Sequence, residues 1–273
     1  MANIGVLGIG LIGGSIAKAL PEGAIVFDAD AKSLELARAA GLKVASNLAE
    51  LVNTVDVLFI GVPFEAFESV FADVQAAVAT RETPIVVTSV LSVMLPVAVT
   101  EPNVTFIAGH PMAGTEHSGF ENAVDALFEH ATWALAPEAG TNPEHFALLA
   151  NTVKQLGAVI VVLEPKQHNE IVAQISHLPH VLAAAQILAI AEDEKTDSVY
   201  RLAASSFRDS TRVASTKAEL TAAMVNNNRA EVLHAIAKLR GSLDAFEELL
   251  QSGDDLGVVE LFARAKTQRD KHI

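Results

Sequence analysis

The run Gly8-Ile9-Gly10-Leu11-Ile12-Gly13-Gly14-Ser15 constrains this chain more than any other stretch, because of what stands on either side of it. Before it, Ala2 to Leu7 is a short apolar run of strand character; after it, Ile16 to Leu20 keeps a helical pattern. A strand that turns at once into a helix needs a residue without a side chain at the turn, and Gly8 stands there. Gly10 leaves room for a pyrophosphate to approach the backbone, and Gly13 lets the helix pack closely on the strand. The N-terminus of the helix that follows would face the phosphates, with Leu11 and Ile12 of the turn among the expected cofactor-binding residues. The next strand, Gly23 to Phe27, ends in Asp28, where a carboxylate can accept hydrogen bonds from the ribose hydroxyls of NAD. Asp28 would repel a 2′-phosphate, and Ala29-Asp30-Ala31 offers no arginine to receive one, so NAD is expected over NADP.

Helix and strand signals continue to alternate. A helix from Lys32 to Ala40, a short strand at Lys43 to Ala45, a helix from Leu48 to Val52 and the apolar strand Val57 to Pro63 follow in order. A helix from Phe64 to Ala79 then leads to strands at Pro84 to Thr88 and Val104 to Ala108. Strands apolar on both faces belong to a parallel sheet covered by helices. Ligands of such doubly wound sheets sit beyond the carboxyl ends of the strands, which places Gly8 to Gly13, Val62, Pro63, Thr88 to Ser92 and His110 along one crevice. Strands at Trp133 to Ala136 and Ala158 to Leu163, separated by a helix from Pro143 to Leu156, are expected to extend the sheet.

Beyond Pro165 only helices are expected: Ile171 to Ala191, interrupted at Pro179, then Ser198 to Ala204, Lys217 to Asn226, Ala230 to Gln251 and Leu256 to Thr267. The fold class is therefore α/β, with a dinucleotide-binding domain over 1–165 and a helical domain over 166–273. The stretch Val181 to Ala191 is apolar enough to be buried around most of its circumference, which predicts packing against a second subunit as well as its own domain.

Composition excludes several partners. Net charge is −14 and hydrophobic residues make up 51% of 273, so the body is globular and strongly acidic, offering no attraction to nucleic acid or an anionic membrane. An anionic substrate must therefore meet a local positive site. Zero cysteines exclude disulfides and thiolate metal sites. No secretory signal follows Met1, and Val181 to Ala191 is far short of about 20 residues, so a cytoplasmic protein without a membrane span is expected.

Three polar clusters stand out against this background. In Gly109-His110-Pro111-Met112-Ala113-Gly114-Thr115-Glu116, the proline disfavours helix at His110 and the glycines break any period, which predicts a loop histidine. Imidazole titrates near neutrality, so His110 can take a proton from a hydroxyl, with Thr115 and Glu116 near enough in sequence to orient it or a substrate. Ser176-His177-Leu178-Pro179-His180 puts two histidines at a proline within an apolar helix, and Phe207-Arg208-Asp209-Ser210-Thr211-Arg212 sets two arginines beside an acid. His168, His177 and His180 could supply three metal ligands, but nearby carboxylates are not suitably spaced, so no metal is expected.

Taken together with the glycine run, these clusters resemble the prephenate/arogenate dehydrogenase family of tyrosine biosynthesis, over nearly the whole chain. The resemblance implies a Rossmann domain followed by a helical dimerisation domain, a homodimer, and an NAD(P)-dependent oxidative decarboxylation of prephenate or arogenate. It implies that His110 takes the proton of the ring hydroxyl, assisted by Ser92, and that Arg212 holds a substrate carboxylate. His180 is implied as a further substrate contact, with Glu116, His177 and Asp209 lining or gating the pocket. The chain departs from the family pattern at Ser89-Val90-Leu91-Ser92-Val93-Met94, where Asp-x-Gly-Ser-x-Lys is common, and at His168-Asn169, where His-Asp is common. No chorismate mutase segment precedes Met1 and no regulatory domain follows Ile273 in this sequence, so any feedback by tyrosine is expected at the active site. Other readings stay open: a related dehydrogenase of β-hydroxy acids, for whose catalytic lysine the helical half offers no evident candidate, an imine reductase, and a non-catalytic NAD sensor.

Overall fold

The computed structural model describes residues 2–20, 23–93, 97–115, 117–191 and 196–272. They form two units, 1–169 and 170–273.

The first unit is built on six parallel strands. In chain order these are β1 (Ile4–Leu7), β2 (Ile25–Phe27), β3 (Lys43–Val44), β4 (Val57–Ile60), β5 (Ile85–Ser89) and β6 (Val104–Phe106). They lie side by side as β3-β2-β1-β4-β5-β6, so the order reverses between β1 and β4. Helices α1 (Leu11–Ala19), α2 (Ala31–Ala39), α3 (Leu48–Thr54) and α4 (Phe64–Val78) make the crossovers. Alternation along each strand divides the core. Val6, Phe59 and Val86 join one apolar cluster with Ile16 of α1, while Leu58, Ile60, Ile85 and Val87 join another with Phe67 and Phe71 of α4. Asp30 caps α2 by accepting from the backbone N–H groups of Lys32 and Ser33, and the Ser33 hydroxyl first, then these backbone bonds, hold its carboxyl below the usual range.

The last two expected strands do not extend this sheet. β8 (Thr132–Ala136) and β9 (Val159–Val162) form a separate three-stranded sheet with β7 (Ala108–Pro111), in the order β7-β8-β9. β7 runs antiparallel to β8, with His110 opposite Ala134 and Pro111 opposite Trp133. The apolar run Val104 to Ala108 is thus two strands, broken at Ile107. His110 is in a strand and not a loop, because the extended backbone that a following proline imposes is also strand backbone. Trp133 is fully buried and meets Phe59 edge to face, with ring centroids 5.9 Å apart, which locks the small sheet onto the large one. Helix α5 (Pro143–Gln155) precedes β9, and α6 (Pro165–Val172) begins the last helical run.

The second unit is helical: α7 (Leu178–Ala191), α8 (Thr196–Arg201), α9 (Ser205–Thr211), α10 (Ala218–Asn227), α11 (Arg229–Ser252) and α12 (Asp255–His272). Between α6 and α7, Ala173–His177 is a π turn, closed by the Leu178 N–H donating to the Ala173 carbonyl. Pro179 has no N–H to give to Ile175, and the wide turn absorbs that break without ending the helix. The helical run therefore spans Pro165–Ala191, 27 residues, and an 18-residue window within it has a mean hydropathy of 1.4, long and apolar enough by those measures to cross a membrane. The length inferred from Val181 to Ala191 alone is too short. The expected burial of α7 is not met within the chain either: Ala183 is buried, while Leu188 is 63% exposed. Ala173, Val232 and Ala235 form a small core, and Leu220, Leu233 and Phe262 are exposed.

Candidate active site

The glycine turn sits at the carboxyl end of β1. Gly8 adopts φ +87°, and a Cβ there would lie 2.8 Å from the Gly61 carbonyl carbon at the end of β4. A Cβ on Gly13 would come within 2.0 Å of the Gly8 carbonyl oxygen, so α1 packs on the turn at a distance only glycine permits. Gly10 differs: no atom lies within 4 Å of its would-be Cβ. It occupies the N-cap of α1, where no side chain caps the helix and no acid stands in the first turn. Uncapped N–H groups, the positive end of the helix dipole and open space before Gly10 together suit a pyrophosphate. Leu11 is buried, Ile12 is half-buried, Val62 adjoins Gly8, and Pro63 is exposed at the start of α4.

Asp28, at the end of β2, anchors this turn. One carboxylate oxygen accepts from the Ile9 N–H at 2.7 Å and the other from the Asp30 N–H at 2.8 Å. A carboxylate has about four acceptor positions, so two remain for ribose hydroxyls.

At the carboxyl end of β5, Ser89 does what its sequence position did not advertise. Its fully buried hydroxyl accepts from the Gly109 N–H at 3.1 Å and lies 2.8 Å from the Ser92 carbonyl, to which it donates. Ser92 itself bridges Gly109 across the strands. A Cβ at Gly109 would come within 2.8 Å of both the Ser89 carbonyl and the Thr88 hydroxyl, so the residue before His110 must be glycine. Ser92 and His110 are thereby held next to one another by backbone. Met94 and Glu116 lie outside the described residues. Thr115 is exposed and accepts from the His117 N–H at 3.2 Å.

His110 has a partner that sequence reasoning did not pair with it. Its Nδ1 lies 2.9 Å from Nε2 of His168, and the ring centroids are 5.0 Å apart. His168 is 3% exposed, and Nδ1 of its ring lies 3.1 Å from the Asn169 side-chain oxygen. Burial pushes its pKa down, partly offset by the Asn169 contact, and the net lowering favours the neutral ring. The two histidines are 58 residues apart, and only the pattern His168-Asn169 hinted at a role.

The remaining candidates belong to the helical unit. His177, in the π turn, is buried, and its Nδ1 accepts from the Asn228 side-chain amide at 3.2 Å. His180 makes a 2.9 Å bond from Nδ1 to the Ser176 carbonyl, and its Nε2 lies 3.5 Å from the Thr216 hydroxyl. Arg212 opens the short 3₁₀ turn Arg212–Ser215 that packs against α7. Arg212 and Asp209 are both exposed, and among the described residues no ion pair joins them. Among the described residues, no group of three or more histidine or acidic side chains could hold a metal ion.

A parallel sheet of this order, reversing beside a glycine turn with an acid at the end of the second strand, defines a Rossmann-type dinucleotide-binding oxidoreductase, here with a histidine at the site. The chain belongs to the prephenate dehydrogenase family: residues 14–162 match the prephenate dehydrogenase nucleotide-binding domain, and residues 164–264 match the prephenate dehydrogenase dimerization domain. The solved structure of Synechocystis arogenate dehydrogenase superposes with a TM-score of 0.84 at 30% identity, covering 99% of this chain and 100% of that one. Cyclohexadienyl dehydrogenase of Zymomonas mobilis is 28% identical over 98% of this chain and 94% of its own length. Prephenate dehydrogenase of Bacillus subtilis is 31% identical over 60% of this chain, a match that spans 45% of that protein.

Proposed function

We propose that this chain catalyses the NAD-dependent oxidative decarboxylation of prephenate to 4-hydroxyphenylpyruvate. The observation that carries the reading is His110, held by Ser89, Ser92 and His168 at the same end of the sheet as an open glycine turn. Bound NAD supplies the hydride acceptor. His110 takes the proton of the ring hydroxyl as the hydride leaves the same carbon; the electron pair of the ring carboxylate's C–C bond, released as carbon dioxide departs, completes the aromatic ring as a phenolate, and His110 returns the proton to that oxygen. Such general-base assistance typically contributes about 10²- to 10⁴-fold. Ser92 orients the hydroxyl beside His110. Arg212 holds a substrate carboxylate, since an exposed guanidinium is what an acidic protein needs to capture a dianion. His180 contacts the substrate, as do His177, Asp209 and Thr115.

Asp28 favours NAD over NADP because a 2′-phosphate would stand against its carboxylate. The chain works as a homodimer through its helical unit, supported by the dimerization-domain match and by the exposed Leu188, Leu220, Leu233 and Phe262. It acts in the cytoplasm on a small molecule, without nucleic acid or membrane, in keeping with its charge of −14.

Arogenate is the second reading, favoured by the Synechocystis relative, whose full length this chain matches. The test is kcat/KM for prephenate and for arogenate, each with NAD and with NADP. Higher values for prephenate and NAD are expected; preference for arogenate moves the substrate, and preference for NADP removes Asp28 from its role.

A further inference from the structure

His168 and Asn169 together do more than occupy space behind His110. The amide oxygen of Asn169 can only accept a hydrogen bond, so the 3.1 Å contact requires the His168 proton on Nδ1. A neutral His168 with its proton there has only a lone pair on Nε2. That lone pair faces Nδ1 of His110 at 2.9 Å, and the contact is a hydrogen bond only if His110 carries its own proton on Nδ1. The neutral His110 ring then has its basic lone pair on Nε2. Burial of His168 acts in the same direction by disfavouring its charged form, which would have to donate from Nε2 and reverse the pair.

We propose that His168 and Asn169 are positioning residues that select the tautomer of His110, with the proton on Nδ1 and the accepting lone pair on Nε2. The chain's departure from His-Asp at this place gains a meaning. A carboxylate at position 169 would favour a charged His168, able to push a proton toward His110, whereas an amide favours a neutral acceptor. When His110 takes a proton at Nε2, its Nδ1–H continues to donate to His168, and the bond becomes charge-assisted and stronger.

The consequence for turnover rests on the proposed reading of His110 as proton acceptor; the tautomer itself does not, so the two can fail separately. The experiment is long-range proton–nitrogen NMR of the whole chain labelled with ¹⁵N-histidine, at a pH where His110 is neutral, with His110→Asn used to assign its signals. Wild-type protein is expected to show His110 with Nδ1 protonated. His168→Leu, which offers no acceptor, is expected to lose that preference. His168→Gln, whose amide oxygen can replace the lone pair, is expected to recover it. In the same variants kcat is expected to fall at least about tenfold in His168→Leu, a share of what a general base contributes, with KM nearly unchanged and partial recovery in His168→Gln. A wild-type His110 protonated on Nε2, or an Nδ1 preference that survives in His168→Leu, overturns the assignment.

Discussion

Pro111 restricts His110 to extended backbone, and in this chain the restriction serves a strand whose partner residue is Ala134. A histidine on a strand paired on one side and bridged through Gly109 on the other has little freedom, which suits a group that must meet one hydroxyl. His110→Asn keeps a polar side chain and removes the base. Its kcat is expected to fall about 10²- to 10⁴-fold with NAD affinity unchanged, as read by steady-state rates and NAD titration. Arg212→Ala should fail in the opposite way. A hydrogen bond to a charged group contributes about 1.5–3 kcal/mol, so KM should rise about tenfold or more while kcat holds better. If both variants lost NAD affinity along with turnover, both side chains would be structural.

The glycine turn shows how one element assigns three separate tasks. Gly13→Ala drives a Cβ toward the Gly8 carbonyl at 2.0 Å, a backbone atom that cannot swing aside, so α1 must move off β1. Overpacking of that kind costs about 1–3 kcal/mol or more, and melting temperature and NAD affinity should drop together. Gly10→Ala meets nothing within 4 Å and should melt like the wild type. It should nevertheless bind NAD at least about tenfold more weakly, because the methyl group occupies the space a pyrophosphate needs. Equal NAD affinity in Gly10→Ala and wild type would place the phosphates elsewhere. The same turn was the most legible part of the sequence, since each glycine answers to a local steric demand. The π turn at Ala173–His177 was less so: a proline announces that a helix must adjust, but not whether it kinks, ends or widens.

Across the whole molecule, legibility followed sequence distance. The six parallel strands could be read one after another from apolar runs and intervening helices. The passage from β6 to β7 could not, because in Val104-Thr105-Phe106-Ile107-Ala108 nothing local marks Ile107 as the point where the chain changes sheets. The site divided in the same way. Gly8, Gly10, Gly13 and Asp28 belong to one short unit, while the contact of His110 with His168, and the stitching of Gly109 by Ser89, join residues far apart in the chain. Oligomeric state is checked by sedimentation, which should give about twice the 28.8 kDa of one chain, since exposed leucines on α7, α10 and α11 have too little core of their own to cover them. A stable single-chain mass at micromolar concentration would contradict it. The most direct measurement of all is stoichiometric: the purified protein is incubated with NAD and prephenate while reduced cofactor is followed by absorbance and carbon dioxide is trapped. One reduced cofactor and one carbon dioxide are expected for each prephenate consumed; NAD that binds but is never reduced, with prephenate or with arogenate, would contradict a dehydrogenase and leave a protein that only senses the nucleotide.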